Sequence, residues 1–244
     1  MSRRWIELLQ RRRADHRGAD RILNIGHRGA RGMAPENTIA AIEAAAGAGA
    51  DMVEIDVHLS RDGELVVAHD FDATLTVADI QARDPRVPTL ADCVTRAQSL
   101  KLLLNIEIKN LPHRYSGIED AVIGTIARLD AIGQVLLSSF DHESLATVRR
   151  LNDDVATAVL TQDRLFHPVD YLDRLEADAL HPGGYVPDEQ LTAAIRETER
   201  GINVWTENEP DAMRHLIARG VTGIITDYPL RLVELLDHAT NDAC

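Results

Sequence analysis

The chain has 244 residues, 45% of them hydrophobic and 27% charged, and a formal net charge of −13. That length buries a full core in one large domain as readily as in two small ones. The acidic balance argues against nonspecific attraction to nucleic acid or to an anionic membrane, since both need basic surfaces. A small anionic substrate stays open, because a bound metal reverses the local field. Two cysteines, Cys93 and Cys244, make no disulfide framework and predict a reducing, cytoplasmic setting.

Residues 1–20 form a basic N-terminal extension with Trp5, Ile6, Leu8 and Leu9 near its start. It is too charged for a secretory leader, and no run of about eighteen apolar residues occurs that would predict stable membrane insertion. Residues 5–13 are expected to form a short amphipathic helix covering one end of the domain, with a membrane-surface anchor as the competing reading. The remainder, residues 21–244, reads as a single domain.

From Arg21 the chain alternates β-branched runs with helical spacing. Strands are predicted at Ile22–Gly26, Met52–His58, Leu102–Ile108, Val135–Ser138, Val155–Leu160, Ala179–His181, Ile202–Trp205 and Gly223–Thr226. Leu65–Ala68 adds a strand turned back by Asp62-Gly63, a hairpin signal after the second strand. Ile39, Ile42 and Ala46 share one helical face; so do Val122, Ile126 and Leu129, and Met213, Leu216 and Ile217. Ser116 with Glu119 reads as a capping box, and Gly133, Gly201 and Gly220 are expected to stop helices. Eight strand–helix repeats in this length predict a closed (β/α)8 barrel, with a doubly wound open sheet as the alternative.

In such a barrel chemistry gathers at the C-terminal ends of strands. Polar residues fall there repeatedly: His27, Glu54 and Asp56, Glu107 and Lys109, Ser138 and Ser139, His181, Trp205 and Asp227. Glu54 and Asp56 are two apart, so on a strand both carboxylates project from one face. Like charges on a buried face are costly unless a cation or donors meet them. Oxygen-only ligands favour magnesium, calcium or manganese over zinc; structural salt bridges to Arg28 and Lys109 are the plainer reading. His27 and His69 bracket the acid pair, and an unperturbed imidazole suits acid–base work near neutrality.

Read in order, His27-Arg28-Gly29, Pro35-Glu36-Asn37-Thr38, Glu54-Ile55-Asp56 and His69-Asp70 resemble the signature of the glycerophosphodiester phosphodiesterase family. Asn105-Ile106-Glu107-Ile108-Lys109 matches its third block. Ser138-Ser139-Phe140, Val204-Trp205-Thr206 and Thr226-Asp227 resemble later ones, so the likeness spans roughly residues 22–230. The resemblance implies metal-dependent hydrolysis of a glycerophosphodiester to sn-glycerol 3-phosphate and an alcohol. By the same likeness Glu54, Asp56 and Glu107 hold one divalent cation, His27 is the base and His69 the acid. Arg28 and Lys109 face the phosphate. Trp205 either packs on the leaving alcohol or plugs the barrel mouth, and Glu36 either joins the site or favours the start of the next helix. No serine or cysteine stands beside a histidine as an activated nucleophile would. Attack then comes from water or from the substrate's own neighbouring hydroxyl. Competing readings are a lysophospholipase D or sphingomyelinase-D-like enzyme on the same fold, and a non-catalytic phosphate-binding barrel. Oligomeric state is not legible in the sequence.

Overall fold

The computed structural model describes residues 3–10 and 22–241. Its strands are β1 (Leu23–Gly26), β2 (Met52–Leu59), β3 (Leu65–Val67), β4 (Leu103–Ile108), β5 (Val135–Ser139), β6 (Ala156–Thr161), β7 (Ala179–Pro182), β8 (Gly201–Val204) and β9 (Gly223–Thr226). All except β3 pair in parallel, in the order β1-β9-β8-β7-β6-β5-β4-β2. Pairing of Ile25 with Met52 and Gly26 with Val53 joins β1 to β2 and closes the ring. The fold is therefore the closed (β/α)8 barrel, not the open sheet. β3 runs antiparallel to the last residues of β2, Val57 facing Val67 and Leu59 facing Leu65, beyond the stretch that meets β1.

The helices are α1 (Arg3–Gln10), α2 (Ile39–Gly47), α3 (Val77–Arg83), α4 (Leu90–Ser99), α5 (Ile118–Arg128), α6 (His142–Leu151), α7 (Pro168–Leu175), α8 (Glu189–Glu197), α9 (Pro210–Ala218) and α10 (Pro229–Asn241). Strands buried on both faces read as nearly continuous apolar runs, which is why the sequence pattern located them well. Helix ends were less legible. Capping boxes form at Thr76 with Asp79 and at Thr89 with Asp92. The expected box at Ser116 does not form: α5 starts after Gly117, and the buried Glu119 accepts from Asn110 Nδ2 at 3.1 Å instead. Nor do Gly133 and Gly201 stop helices. Asp130 and Glu199 take the left-handed conformation after α5 and α8, whereas Gly220 does so after α9. No helix among the described residues is long and apolar enough to cross a membrane.

α1 closes the N-terminal end of the barrel. Trp5 and Leu8 are buried against Leu23, Met52, Leu103 and Leu136, residues at or near the starts of their strands. The indole lies over Gly201, where a Cβ would come within 2.6 Å of Cζ2, so only glycine admits it. Arg4 Nε donates to Asp178 Oδ1 at 3.1 Å, and Arg149 Nη2 meets Asp178 Oδ2 at 3.1 Å, so the buried carboxylate is paired from both sides. This helix is the expected amphipathic segment in part; residues 11–13 lie outside the described residues. Trp5 and Leu8 are spent on the barrel, which removes the membrane-anchor reading for those two side chains. Trp5→Ala should lower stability by about 3–5 kcal/mol, the range for emptying a buried aromatic site. Because the strand ends that carry the polar cluster lie at the opposite end, kcat of the folded variant at 25 °C should stay within twofold of wild type. Thermal melts and steady-state assays check both.

Candidate active site

The loop leaving β1 sets the site. Gly29 has φ +85°, and a Cβ there would lie 2.6 Å from the Ala41 side chain. Arg28 also takes a positive φ of 49°, uncommon for a residue with a side chain. The tight turn brings the Arg28 amide to Glu54 Oε2 at 2.8 Å and the Gly29 amide to the Glu54 carbonyl at 3.0 Å. His27, Arg28 and the end of β2 are thereby locked together.

Three carboxylates meet there. Glu54 and Asp56 project from one face of β2, and Asp56 pairs in register with Glu107 on β4. Their nearest oxygens all lie within 4.8 Å of one another, and all three side chains are buried. Burial, with Asp56 and Glu107 close by, drives the Glu54 carboxyl well above its ordinary range, against the opposing pull of the Arg28 amide. Burial and Asp56 push Glu107 up to about 7 despite Lys109. Three crowded hard-oxygen donors with strained ionisation fit a divalent cation such as magnesium, calcium or manganese. Asn37 braces the cluster from behind: its Nδ2 donates to Asp56 Oδ2 at 2.8 Å, and its Oδ1 accepts from the Asp56 amide at 3.1 Å.

Cations sit on the rim of this cluster. Lys109 Nζ reaches Glu107 at 2.8 Å and Asp56 at 3.4 Å. Burial alone would lower its ammonium pKa, but Glu107 and Asp56 outweigh burial and raise it. Arg28 Nε lies 3.3 Å from Asp56, and its Nη1 donates to Glu36 at 2.8 Å. Glu36 therefore orients Arg28 and is not among the side chains lining the cavity. The N-cap of α2 is Thr38, whose Oγ1 accepts from the Ala41 amide at 3.2 Å.

The two histidines face the same space. His27 Nδ1 donates to Asp227 Oδ1 at 2.7 Å, and its Nε2 is left without a hydrogen-bond partner among the described residues. Burial would raise Asp227, yet the bonds from His27 and from Asn208 Nδ2 hold it below the usual carboxylate range. His69 Nδ1 meets Asp70 Oδ1 at 3.0 Å, and its Nε2 likewise has no hydrogen-bond partner among the described residues. His27, Arg28, Glu54, Asp56, His69, Glu107, Lys109 and Trp205 line one cavity of about 240 Å³, joined by Asn105, Ser138, Phe140, Leu160, Gln162 and Ile225. That is slightly below the about 300–1,000 Å³ of typical ligand pockets, a size for a small molecule. Trp205 stands edge-on to Phe140 with centroids 5.5 Å apart and donates Nε1 to the His181 carbonyl at 2.8 Å. His181 itself lies outside this lining, bonded to Asn203 at 2.9 Å, and burial pushes its imidazole down to about 3.

Sequence reasoning undervalued several of these residues. Asp227 reads along the chain as a structural hydrogen-bonding residue or one that orients its neighbours, and the structure pairs it with His27. Asn37 was visible only as part of its tetrapeptide. Asn105, two residues before Glu107 on the same inward face, is fully buried with neither end of its amide partnered among the described residues. The period-two spacing from Glu107 was the available signal.

A closed parallel barrel with carboxylates and histidines collected at its C-terminal end has the layout of a (β/α)8 enzyme site. The model of the glycerophosphoryl diester phosphodiesterase family matches residues 27–84 and 74–231. A glycerophosphodiester phosphodiesterase of Caldanaerobacter subterraneus subsp. tengcongensis is 34% identical, the match covering 88% of this chain and 98% of that one. In fold, a Silicibacter pomeroyi protein assigned as a glycerophosphoryl diester phosphodiesterase superposes with a TM-score of 0.85 at 24% identity, covering 96% of this chain and 98% of its own. A phosphodiesterase of Oleispira antarctica, solved in complex with the product sn-glycerol-3-phosphate, gives 0.75 at 24% identity, covering 87% and 96%. The chain belongs to the glycerophosphoryl diester phosphodiesterase family, and is a hydrolase of that class.

The crowded carboxylates predict a stability that changes with pH. Glu107 has its pKa raised from 4.5 to about 7 by burial and Asp56, so its favourable contribution is full below about 4.5 and is lost as pH rises through about 7. Metal-free wild type should therefore melt lower at pH 8 than at pH 5.5, and Glu107→Gln should flatten that difference. Adding calcium or magnesium at pH 8 should raise the wild-type melting temperature and leave Glu107→Gln nearly unmoved. A metal-induced shift of equal size in both proteins would show that Glu107 is no ligand.

Proposed function

We propose that the protein hydrolyses glycerophosphodiesters to sn-glycerol 3-phosphate and an alcohol, with Glu54, Asp56 and Glu107 holding one divalent cation. The observation that carries this reading is the meeting of three buried carboxylates and two histidines, each with Nδ1 against a carboxylate, around one small cavity. The product named with the Oleispira antarctica structure agrees with it. A cation held there supplies Lewis acidity toward a phosphate oxygen. Arg28 and Lys109 add positive charge where charge develops on the phosphoryl oxygens. Trp205 and Phe140 form the apolar wall against which the organic part of the ester rests.

His27 is the base. Asp227 keeps the proton on Nδ1, so Nε2 is the nitrogen that takes the proton of the attacking hydroxyl. His69 is the acid: as the P–O bond to the alcohol breaks, its Nε2 delivers a proton to the departing oxygen. The attacking group is the substrate's own hydroxyl next to the ester carbon. Intramolecular attack gains an effective molarity of about 10⁵ M or more when well aligned, and water then opens the resulting cyclic phosphate.

Glycerophosphocholine, glycerophosphoethanolamine and a lysophospholipid, each assayed with magnesium, calcium and manganese, test the substrate and the metal together. Chelation should abolish turnover and excess cation restore it; full turnover after exhaustive chelation sinks the metal assignment. His27→Ala and His69→Ala should each lose about 10²-fold or more in kcat, with unchanged circular dichroism. Asp227→Asn should lose less than His27→Ala, with KM little changed, because it disturbs only the tautomer of the base. A substrate whose neighbouring hydroxyl is replaced by hydrogen should bind and turn over very slowly. Its cleavage at the normal rate would point to direct attack by water.

A further inference from the structure

His69, proposed above as the acid, sits on the loop that follows β3, where no strand or helix holds it. Its ring meets Asp70, whose own side chain is fully exposed. An ion pair in that setting places a side chain weakly. The chain around it is nevertheless tied down. The Ala68 amide donates to the Asp56 carbonyl at 3.1 Å, and the His69 carbonyl lies 3.2 Å from His58 Nε2.

His58 is buried, shares the inward-facing period of Glu54 and Asp56 on β2, and yet is not among the cavity-lining side chains. Both of its nitrogens are engaged. The His69 carbonyl can only accept, so Nε2 carries the hydrogen; Nδ1 then accepts from the Tyr115 hydroxyl at 3.0 Å. The ring also stacks on Phe71, with centroids 4.9 Å apart and planes 18° from parallel, and meets Tyr115 edge-on at 5.8 Å. Tyr115 is fixed in turn by its amide, which donates to Asn110 Oδ1 at 2.6 Å, and Asn110 Nδ2 donates to Ser144 Oγ at 2.8 Å on α6. One imidazole thus joins β2, the loop bearing His69 and Phe71, and the loop after β4.

We infer that His58 is a positioning residue for the reaction: it holds the backbone of His69 so that the His69 imidazole reaches the departing oxygen. What singles out His58 is the partner of its Nε2, the backbone carbonyl of His69 itself. The inference rests on His69 being the acid, and the test separates the two. Displacement of an alkoxide requires a proton, whereas displacement of p-nitrophenolate does not. Wild type, His69→Ala, His58→Leu, His58→Asn and His58→Gln are assayed on glycerophosphocholine and on the p-nitrophenyl ester of glycerol 3-phosphate. Gln reaches far enough to keep a donor at the position of Nε2; Asn keeps only the partner of Nδ1.

His69→Ala should lower the ratio of choline-ester to nitrophenyl-ester kcat by about 10²-fold, as expected for loss of an acid. His58→Leu and His58→Asn should lower the same ratio by about 10-fold or more, with KM unchanged, and His58→Gln should restore most of it. If His69→Ala lowers the ratio and His58→Leu does not, His58 is packing and the inference fails alone. If His69→Ala leaves the ratio unchanged, His69 is not the acid and both readings fall. Equal losses on both esters for all His58 variants, with normal melts, would also overturn the inference.

Discussion

Everything at the C-terminal end of this barrel answers to one electrostatic difficulty: three carboxylates held within 4.8 Å of one another and out of water. Each partner in reach is arranged against that repulsion. The Arg28 amide, Asn37, Lys109 and the Arg28 guanidinium all donate to or pair with the cluster. Even so, Glu54 and Glu107 ionise less readily than an ordinary carboxyl. A group of acids that the fold cannot neutralise alone is a poor structural device, because apolar residues of similar volume would serve stability better. Three hard-oxygen donors so placed suit a divalent cation instead.

The barrel separates that difficulty from its own stability. The N-terminal end is closed by an apolar plug, Trp5 and Leu8 of α1, over the first residues of the strands. At the other end the loops carry polar side chains, a positive φ at Arg28 and a tight turn through Gly29. Strain tends to collect where geometry is needed for function. Here the strained turn does specific work: it aims two backbone amides at Glu54 and places His27 beside Asp227.

The division of labour among the histidines follows from the same economy. His27 is held by a carboxylate that is itself held by Asn208, so its orientation is set by a half-buried chain of bonds. His69 is set from its backbone, and His181 is confined to the barrel wall. Residue type alone gave all three the same potential, whereas the structure sets His27 and His69 on the cavity, each with Nδ1 against a carboxylate, and buries His181 against Asn203.

Much of this was legible along the chain. Strands buried on two faces are mostly apolar, so runs such as Val53–Val57 and Leu103–Ile108 stood out even with acids among them, and their count implied closure. The period of two on a strand put Glu54 with Asp56, and Glu107 and Lys109 were legible as polar residues at the end of another strand. What the chain could not show was pairing across the ring. That Asp56 stands beside Glu107, that Asp227 reaches back 200 positions to His27, and that Trp5 seats on Gly201 depend on register and on closure of the barrel. Helix ends were misjudged at Ser116, Gly133 and Gly201 for a related reason: local cap signals compete with burial, and Glu119 found its partner in Asn110 rather than in its own helix. Sequence by itself determined the alternation that makes a barrel and the acids that make it chemical. Tertiary structure decided which polar groups meet, because hydrogen bonds of fixed length connect residues whose separation in the chain carries no information about their separation in space.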